Sequence, residues 1–272
     1  MSLTAVLMTG DKRRHRWVAR QLGNVLDLRC VVVEAKRNPV GPNAEPAFDD
    51  VVMRHFARRE SVESAMLGSP APLDVEMIRV PTGEINRIDL YERVAEMKPD
   101  VVIVYGTGII RAPLLNSFED RLVNLHLGLS PYYRGAGTNF WPLVDGKPEC
   151  VGATIHLVRA AVDAGPVLHQ VRPSAKASDD AHELGTRALM AAVDVLPDAV
   201  SNFLRGSIRA RPQDLSIGKV FKRSDFDSSA VLRLSRNLED GMMDDYVRDL
   251  AVRQEAFPIV SFGELDAIPS DT

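Results

Sequence analysis

Two polar side chains lie side by side in an apolar run, Leu122–Leu127, that predicts a β-strand. Residues i and i+2 of a strand project to the same face, so Asn124 and His126 point together. An amide and an imidazole at the carboxyl end of a strand lie where α/β sheets bind ligands. The long irregular segment that follows, Gly128–Gly137, is of a kind that often carries function. A hydrogen-bonded polar pair without any chemistry is the alternative interpretation.

A second polar cluster, Asp163–Pro166, lies between the predicted strands Val151–Val158 and Val167–Val171. Asp, Gly and Pro are favoured in turns for backbone reasons, so the cluster alone is typical of a turn. Together, however, the segments Asn124–Gly135 and Gly152–Gln170 resemble the folate-dependent formyltransferases. The pattern of that family is Asn-x-His, a Ser/Pro loop ending in Arg-Gly, and a later hairpin carrying Asp-x-Gly. The family includes glycinamide ribonucleotide, methionyl-tRNA and amino-sugar N-formyltransferases, and the chain is most similar to the last group.

The resemblance is strongest over residues 100–205 and implies that Asn124, His126 and Asp163 form a catalytic triad. The family transfers a formyl group from 10-formyltetrahydrofolate to an amine. Asn124 and a protonated His126 would donate N–H groups to the oxyanion that forms at the formyl carbon. Asp163 would favour the imidazolium form of His126 and orient a water that relays the proton. No metal is required, and the serine elbow of hydrolases is missing.

The resemblance also implies where the folate binds. It is expected between Gly106–Ile110 and Leu157–Asp163, because their backbone groups and apolar side chains suit a flat ring. The residues expected to contact it are Gly106, Thr107, Gly108, Ile109 and Val158. A tight turn after a strand is the alternative interpretation of the two glycines. His156 matches a family position near the folate and shares a strand face with Thr154, and it is given no catalytic role.

The acceptor is expected to contact two segments. In the loop after Asn-x-His, the resemblance points to Ser130, Tyr133 and Arg134. Glycinamide ribonucleotide enzymes carry a Gly-rich phosphate loop after the first strand, whereas Thr9–Arg16 of this chain reads TGDKRRHR. Lys12, Arg13 and Arg16 fall on one side of a helix, which favours capture of a phosphate or diphosphate by side chains. Arg14 is expected to point elsewhere, into solvent. A solvated first helical turn is the alternative.

The elements that position these residues follow an alternating pattern. Apolar runs predict strands at Thr4–Met8, Arg29–Glu34, Val75–Val80 and Val101–Tyr105. Helical spacing predicts helices over Asp11–Leu26, Phe48–Leu67, Ile85–Met97 and, capped by Ser178, Asp179–Leu204. The alternation favours a doubly wound, mostly parallel α/β sheet of the Rossmann-like kind, since there are too few units for an eightfold barrel. Asn38–Pro46 reads as a loop, and Leu129–Gly146 reads as an irregular segment.

Composition limits the class of protein. The 272 residues are 45% apolar and 26% charged, which is ordinary for a soluble globular protein. A net charge of −4 provides no global basic field for nucleic acid or a membrane. No apolar run approaches the roughly 20 residues of a membrane span, and no secretion signal is recognisable at the N-terminus. With only Cys30 and Cys150, a disulfide framework or cysteine zinc site is not expected, and a cytoplasmic location is.

We divide the chain into a catalytic domain of residues 1–212 and a small acidic extension of residues 213–272. The extension has twelve Asp and Glu against seven Lys and Arg, so it is poorly suited to a phosphate backbone. A small, phosphate-bearing amine is therefore the expected acceptor, most simply a nucleotide-linked amino sugar. Methionyl-tRNA, glycinamide ribonucleotide and a non-catalytic binding role on this fold are the alternatives. Apolar positions within 231–250 suggest a homodimer contact.

Overall fold

The computed structural model describes residues 2–36 and 49–261, so the loop predicted at Asn38–Pro46 lies outside the described residues. The strands of the described part are β1 Thr4–Thr9, β2 Asp27–Glu34, β3 Glu76–Val80, β4 Val101–Tyr105, β5 Leu122–His126, β6 Tyr133–Gly135, β7 Ala153–Leu157, β8 Val167–Val171 and β9 Lys219–Phe221. Seven of them form one sheet in the order β3-β2-β1-β4-β5-β7-β8, while β6 pairs with β9.

The large sheet is parallel from β3 to β5 and becomes antiparallel at β7 and β8. Its strand order reverses between β1 and β4, which opens a crevice at the carboxyl ends of these strands, the usual ligand site of such sheets. The predicted doubly wound, mostly parallel sheet is confirmed.

Helices cover both faces of this sheet. The helices of the described part are α1 Arg13–Gly23, α2 Asp50–Leu67, α3 Ile88–Glu96, α4 Leu114–Ser117, α5 Trp141–Val144, α6 Ala181–Leu204, α7 Ser228–Glu239, α8 Met242–Arg248 and α9 Leu250–Glu255. The apolar strand β4 sends Val101, Ile103 and Tyr105 into a core with α1 and α6, and Val102 and Val104 into a core with α3 and α4. Within the described ranges, no helix is both long and apolar enough to cross a membrane.

Helix α6 begins at Ala181, two residues later than predicted. Asp180, and not Ser178, caps the helix, because its carboxylate accepts hydrogen bonds from the backbone N–H groups of His182 and Glu183. The Glu183 side chain in turn accepts from the backbone N–H of Asp180. This reciprocal capping box satisfies more of the free N–H groups at the helix start than a lone serine would.

The segment predicted as irregular, Leu129–Gly146, contains β6 and the single-turn helix α5. Strand β6 exists because β9, more than 80 residues later in the chain, pairs with it in parallel, which no local pattern could indicate. The extension also supplies apolar residues to a third core with Tyr133 and Trp141. They include Val231, Leu234, Met242, Met243 and Tyr246. Most apolar positions expected at a dimer contact are therefore buried within this chain.

Candidate active site

The three side chains predicted as a triad converge at one place. Asn124 Nδ2 lies 3.2 Å from Asp163 Oδ1, and His126 Nδ1 lies 3.4 Å from Asp163 Oδ2. Asn124 and His126 share the face of β5 opposite to Val123 and Leu125, which pack into the α1/α6 core. Asp163 reaches them because β7 is the antiparallel neighbour of β5, so the turn after β7 folds back beside the triad face.

Asp163 is held in an uncommon backbone conformation. Its φ angle is +48°, in the left-handed region that residues with a Cβ rarely adopt. The carboxylate Oδ2 accepts a 2.8 Å hydrogen bond from the backbone N–H of Gly135 in β6. Burial by itself would raise the pKa of Asp163, but the facing His126 and the Gly135 N–H hold that pKa well below its usual range. The group is therefore a carboxylate throughout the neutral range.

His126 is buried between two hydrogen-bond acceptors. Its Nε2 lies 3.3 Å from the carbonyl oxygen of Tyr133, and its Nδ1 faces Asp163. Burial lowers the pKa of His126 below its ordinary value, and the attraction of Asp163 offsets only part of this. The lowered pKa favours the neutral imidazole near pH 7, whereas the sequence interpretation used a protonated ring.

His156 is a fourth member of this cluster that the sequence interpretation left without a role. Its Nδ1 lies 2.8 Å from the carbonyl oxygen of Leu157, so Nδ1 carries the proton. Its Nε2 is then free to accept from Asn124 Nδ2 at 3.1 Å and lies 3.6 Å from Asp163 Oδ1. The signal that places it here is strand register: Asn124 and His156 are directly paired across β5 and β7.

A buried hydrogen-bond network fixes the loop after β5. The Thr154 hydroxyl donates to the carbonyl of Gly128 and accepts from the backbone N–H of Ser130. Gln170 Nε2 donates to the Ser130 carbonyl at 2.5 Å. A Cβ at Gly128 would lie 2.6 Å from Thr138 Cβ and 2.8 Å from His126 Nε2, so the loop requires glycine there.

The three loop residues predicted to contact the acceptor lie in different surroundings. Ser130 is buried, and its hydroxyl has no hydrogen-bond partner within the described structure. The Tyr133 ring is also buried, and its hydroxyl donates to Asp145 at 3.0 Å. Arg134 is only 9% exposed and forms no ion pair with any described residue; its sole polar contact is a 3.4 Å bond from Nη2 to the carbonyl of Leu215. Their contact with an acceptor stays a prediction.

The predicted folate segment begins beside the triad. Val104 is paired with Asn124, so Gly106, Thr107, Gly108 and Ile109 follow β4 next to the triad strand. A buried carboxylate, Glu34, holds this loop by accepting from the backbone N–H groups of Gly108 at 2.6 Å and Gly83 at 2.9 Å. Burial raises the pKa of Glu34, but these bonds and Lys36 outweigh it and keep the pKa below its usual value.

Val158 lies two residues beyond His156, directly after β7. Its backbone N–H donates to the carbonyl of Leu122, and its side chain packs against the core that contains Ile110. The folate contacts of Val158 and of the loop stay predictions.

The three cationic side chains predicted to bind phosphate at the start of α1 have different partners. Arg13 donates to Glu60 at 3.3 Å and to the carbonyl of Gly68 at 2.7 Å, so helix α2 and its end already bind it. Arg16 donates to the carbonyl of Asp11 at 2.8 Å and lies on the surface, and Lys12 is the N-cap residue. Their role in phosphate binding stays a prediction.

Arg14 is not solvated as expected. It pairs at 2.8 Å with Glu63, a buried carboxylate of α2, because α2 packs across α1.

Residues 30–200 match the protein family described as Formyl transferase. The chain belongs to the formyltransferase family. It is 25% identical over 202 residues to the methionyl-tRNA formyltransferase of Chlorobium chlorochromatii, an alignment that covers 73% of this chain and 63% of that protein. The chain thus spans less than two thirds of the length of this curated relative.

Two solved formyltransferases have the same fold. The phosphoribosylglycinamide formyltransferase of Anaplasma phagocytophilum superposes with a TM-score of 0.55 at 17% identity, over 82% of this chain and all of that one. A sugar N-formyltransferase from Shewanella sp FDAARGOS_354 gives a TM-score of 0.54 at 16% identity, over 85% of this chain and 87% of that one. At these identities the likeness concerns the fold, and the formyltransferases concerned differ in their acceptors.

Proposed function

We propose that this protein transfers a formyl group from 10-formyltetrahydrofolate to the primary amine of a nucleotide-linked amino sugar. The observation that carries the proposal is the convergence of Asn124, His126 and Asp163 at one edge of a formyltransferase fold. A structural neighbour with a TM-score of 0.53, a sugar 3N-formyl transferase, was solved in the presence of dTDP and 5-N-formyl-THF. That pair of ligands matches the proposed donor and acceptor classes.

The geometry suits transfer without a covalent enzyme intermediate. The acceptor nitrogen attacks the formyl carbon, and the oxyanion that develops accepts a hydrogen bond from the Asn124 side-chain amide. Contacts with His156 and Asp163 already orient this amide. The neutral imidazole of His126 accepts the proton that the amine loses, and Asp163 stabilises the resulting cation at 3.4 Å. The bond between the formyl carbon and the folate nitrogen then breaks, and the protonated His126 gives its proton to that nitrogen.

Two exposed apolar side chains support the donor site. Ile109, after β4, is 54% exposed, and Val162, next to the catalytic carboxylate, is 40% exposed. Both offer apolar surface to a flat ring, and burial of such surface is a usual source of ligand affinity. The Glu34-bound loop provides a fixed backbone edge for the polar atoms of the ring.

An anionic acceptor is supported by Arg134. A buried guanidinium without a carboxylate is costly, and a phosphate or diphosphate is the anion whose geometry matches its fork. Arg134 also follows Tyr133 directly in the chain, and the carbonyl of Tyr133 faces His126. Arg13, by contrast, is already engaged by α2.

The decisive experiment is an acceptor panel with purified protein and 10-formyltetrahydrofolate. Release of tetrahydrofolate is followed with amino-sugar nucleotides, with glycinamide ribonucleotide and with methionyl-tRNA. We expect turnover with an amino-sugar nucleotide and none with the same nucleotide lacking the amine. Turnover restricted to either other acceptor overturns the sugar assignment, and no turnover with any of the three overturns the proposal.

Methionyl-tRNA is the second candidate acceptor, because the curated relative described above is a methionyl-tRNA formyltransferase. The acidic composition of residues 213–272 argues against it. The panel distinguishes the two directly.

A further inference from the structure

Gln213 binds the turn that carries the catalytic carboxylate. Its Nε2 donates to the backbone carbonyl of Asp163 at 3.0 Å and to that of Gly165 at 2.6 Å. The amide reaches the turn because Arg211 pairs with Val167 at the start of β8 through two backbone hydrogen bonds of 2.7 and 2.8 Å. Gln213 therefore lies two residues beyond a backbone position, Arg211, that is fixed by this pairing.

The turn requires such support. Asp163 has a positive φ of 48°, which is unfavourable for a residue with a Cβ. The turn is also pressed against β7, since a Cβ at Gly165 would lie 1.7 Å from the carbonyl oxygen of Leu157. Side-chain hydrogen bonds to both carbonyls hold the turn in this conformation and leave the carboxylate pointing at His126.

The same part of the extension also holds the group that orients the carboxylate. Gly135 N–H donates to Asp163 Oδ2, and the next amide, Ala136 N–H, donates to the carbonyl of Phe221 in β9 at 2.8 Å. Residues 211–221, which we term the clamp segment, thus contact the catalytic turn from one side and β6 from the other.

We propose that Gln213 is a positioning residue of formyl transfer that acts through Asp163. The inference rests on the proposed catalytic role of Asp163. Gln213 Oε1 is buried and has no hydrogen-bond partner within the described structure, so the amide is not explained as a fully satisfied core group. Its two donated bonds both end on the turn.

The first test compares Gln213→Leu with Gln254→Leu, the same change in the same extension, where the side-chain amide donates to the Tyr246 hydroxyl. We expect Gln213→Leu to lower kcat by roughly 10- to 100-fold with little change in donor KM, because a displaced catalytic group affects the transition state most. Gln254→Leu should leave kcat unchanged. In an Asp163→Asn background, Gln213→Leu should cost nothing further. If Gln213→Leu lowers kcat by the same factor in the Asp163→Asn background as in the wild type, the proposal is overturned.

The second test needs no acceptor and so separates this inference from the proposed function. Amide hydrogen exchange of Gly135 reports the bond to Asp163, and that of Ala136 reports the β6–β9 pairing. In Gln213→Leu we expect exchange at Gly135 to quicken at least about tenfold while Ala136 stays protected. Unchanged exchange at Gly135 overturns the proposal. Equally faster hydrogen exchange at Gly135 and Ala136 also overturns it, because this result would show a general loosening of the clamp segment.

Discussion

Asn124 is oriented before any ligand arrives. Its two amide hydrogens are directed at His156 Nε2 and Asp163 Oδ1, and neither partner can donate back in the tautomer that Leu157 imposes on His156. A formyl oxygen that binds here therefore replaces one of these two acceptors, and the Asn124 N–H donor is already oriented. Such preorganisation is where enzymes obtain much of their stabilisation of an oxyanion.

Removal of either strand residue should stop the reaction without unfolding the protein. We expect Asn124→Ala and His126→Ala each to lower kcat by at least about 10²-fold, since one loses the oxyanion donor and the other the proton acceptor. His169→Ala, a buried histidine on β8 outside the triad, is the control. Steady-state kinetics with thermal melts check this, and near-normal turnover in either variant would remove the proposed mechanism.

Asp163→Asn tests charge separately from shape. An amide keeps the size of the side chain but cannot stabilise a cation on His126, so we expect a large loss of kcat with donor binding largely retained. Because Asp163 raises the pKa of His126, the variant should also shift the acid limb of the pH–rate profile to lower pH. A fully active variant, or one that merely unfolds, would return Asp163 to the role of a turn residue.

Arg134 and the α1 cations offer two locations for the acceptor's anion. We expect Arg134→Gln to raise acceptor KM roughly tenfold or more with donor KM unchanged, because a charged hydrogen bond is lost. Arg134→Lys keeps the charge but lacks the forked guanidinium, so its acceptor KM should lie between those of the wild type and Arg134→Gln. If the joint replacement of Lys12, Arg13 and Arg16 by Ala raises acceptor KM while Arg134→Gln does not, the anion is bound at α1.

Regular elements were predictable where periodicity was local. The continuous apolar run of β4 predicted that strand with its observed bounds. Strand β8 was also predicted with its observed bounds, and β5 to within one residue. The convergence of Asn124, His126 and Asp163 was predictable from strand alternation and a family pattern. His156 could not be assigned, because its place depends on an antiparallel register between segments 32 residues apart. The β6–β9 pair and the division of the α1 cations were also inaccessible, since both depend on long-range packing against later helices or strands.

Helices α2 and α6 meet at two histidines that should make the fold sensitive to acid. His55 and His182 lie with ring centroids 4.4 Å apart, and burial above all lowers their pKa values to about 3 and about 4. The unfolded chain binds these protons near pH 6.5, whereas the folded one resists them. We expect the free energy of unfolding to fall as pH drops from about 6.5 to 4, and His55→Gln to flatten this dependence. Denaturant titrations across that range check it, with Arg54→Gln on the same helix as the control; an unchanged slope in His55→Gln would contradict it.

The extension is joined to the catalytic part of the molecule by packing and by its site contacts. The stacked rings of Trp141 and Phe221, 4.6 Å apart, lie in the core that α5, α7 and α8 share. Gln213 and β9 contact the turn and the loop that bear the triad. The acidic composition that argues against a tRNA acceptor thus belongs to a segment that also completes the site.

A chain ending at residue 212 should therefore lose both stability and activity. It lacks β9, Gln213 and helices α7 to α9, so the apolar faces of Tyr133 and Trp141 would meet water and the Asp163 turn would lose its clamp. We expect aggregation or a clearly lower Tm, and a loss of turnover of at least about 10²-fold even in any soluble fraction. A chain ending at residue 261 keeps every contact described above and is the control. Thermal melts and turnover of the two chains decide the matter: wild-type behaviour of the shorter one would mean that the extension is an independent appendage, and that the catalytic turn holds its conformation unaided.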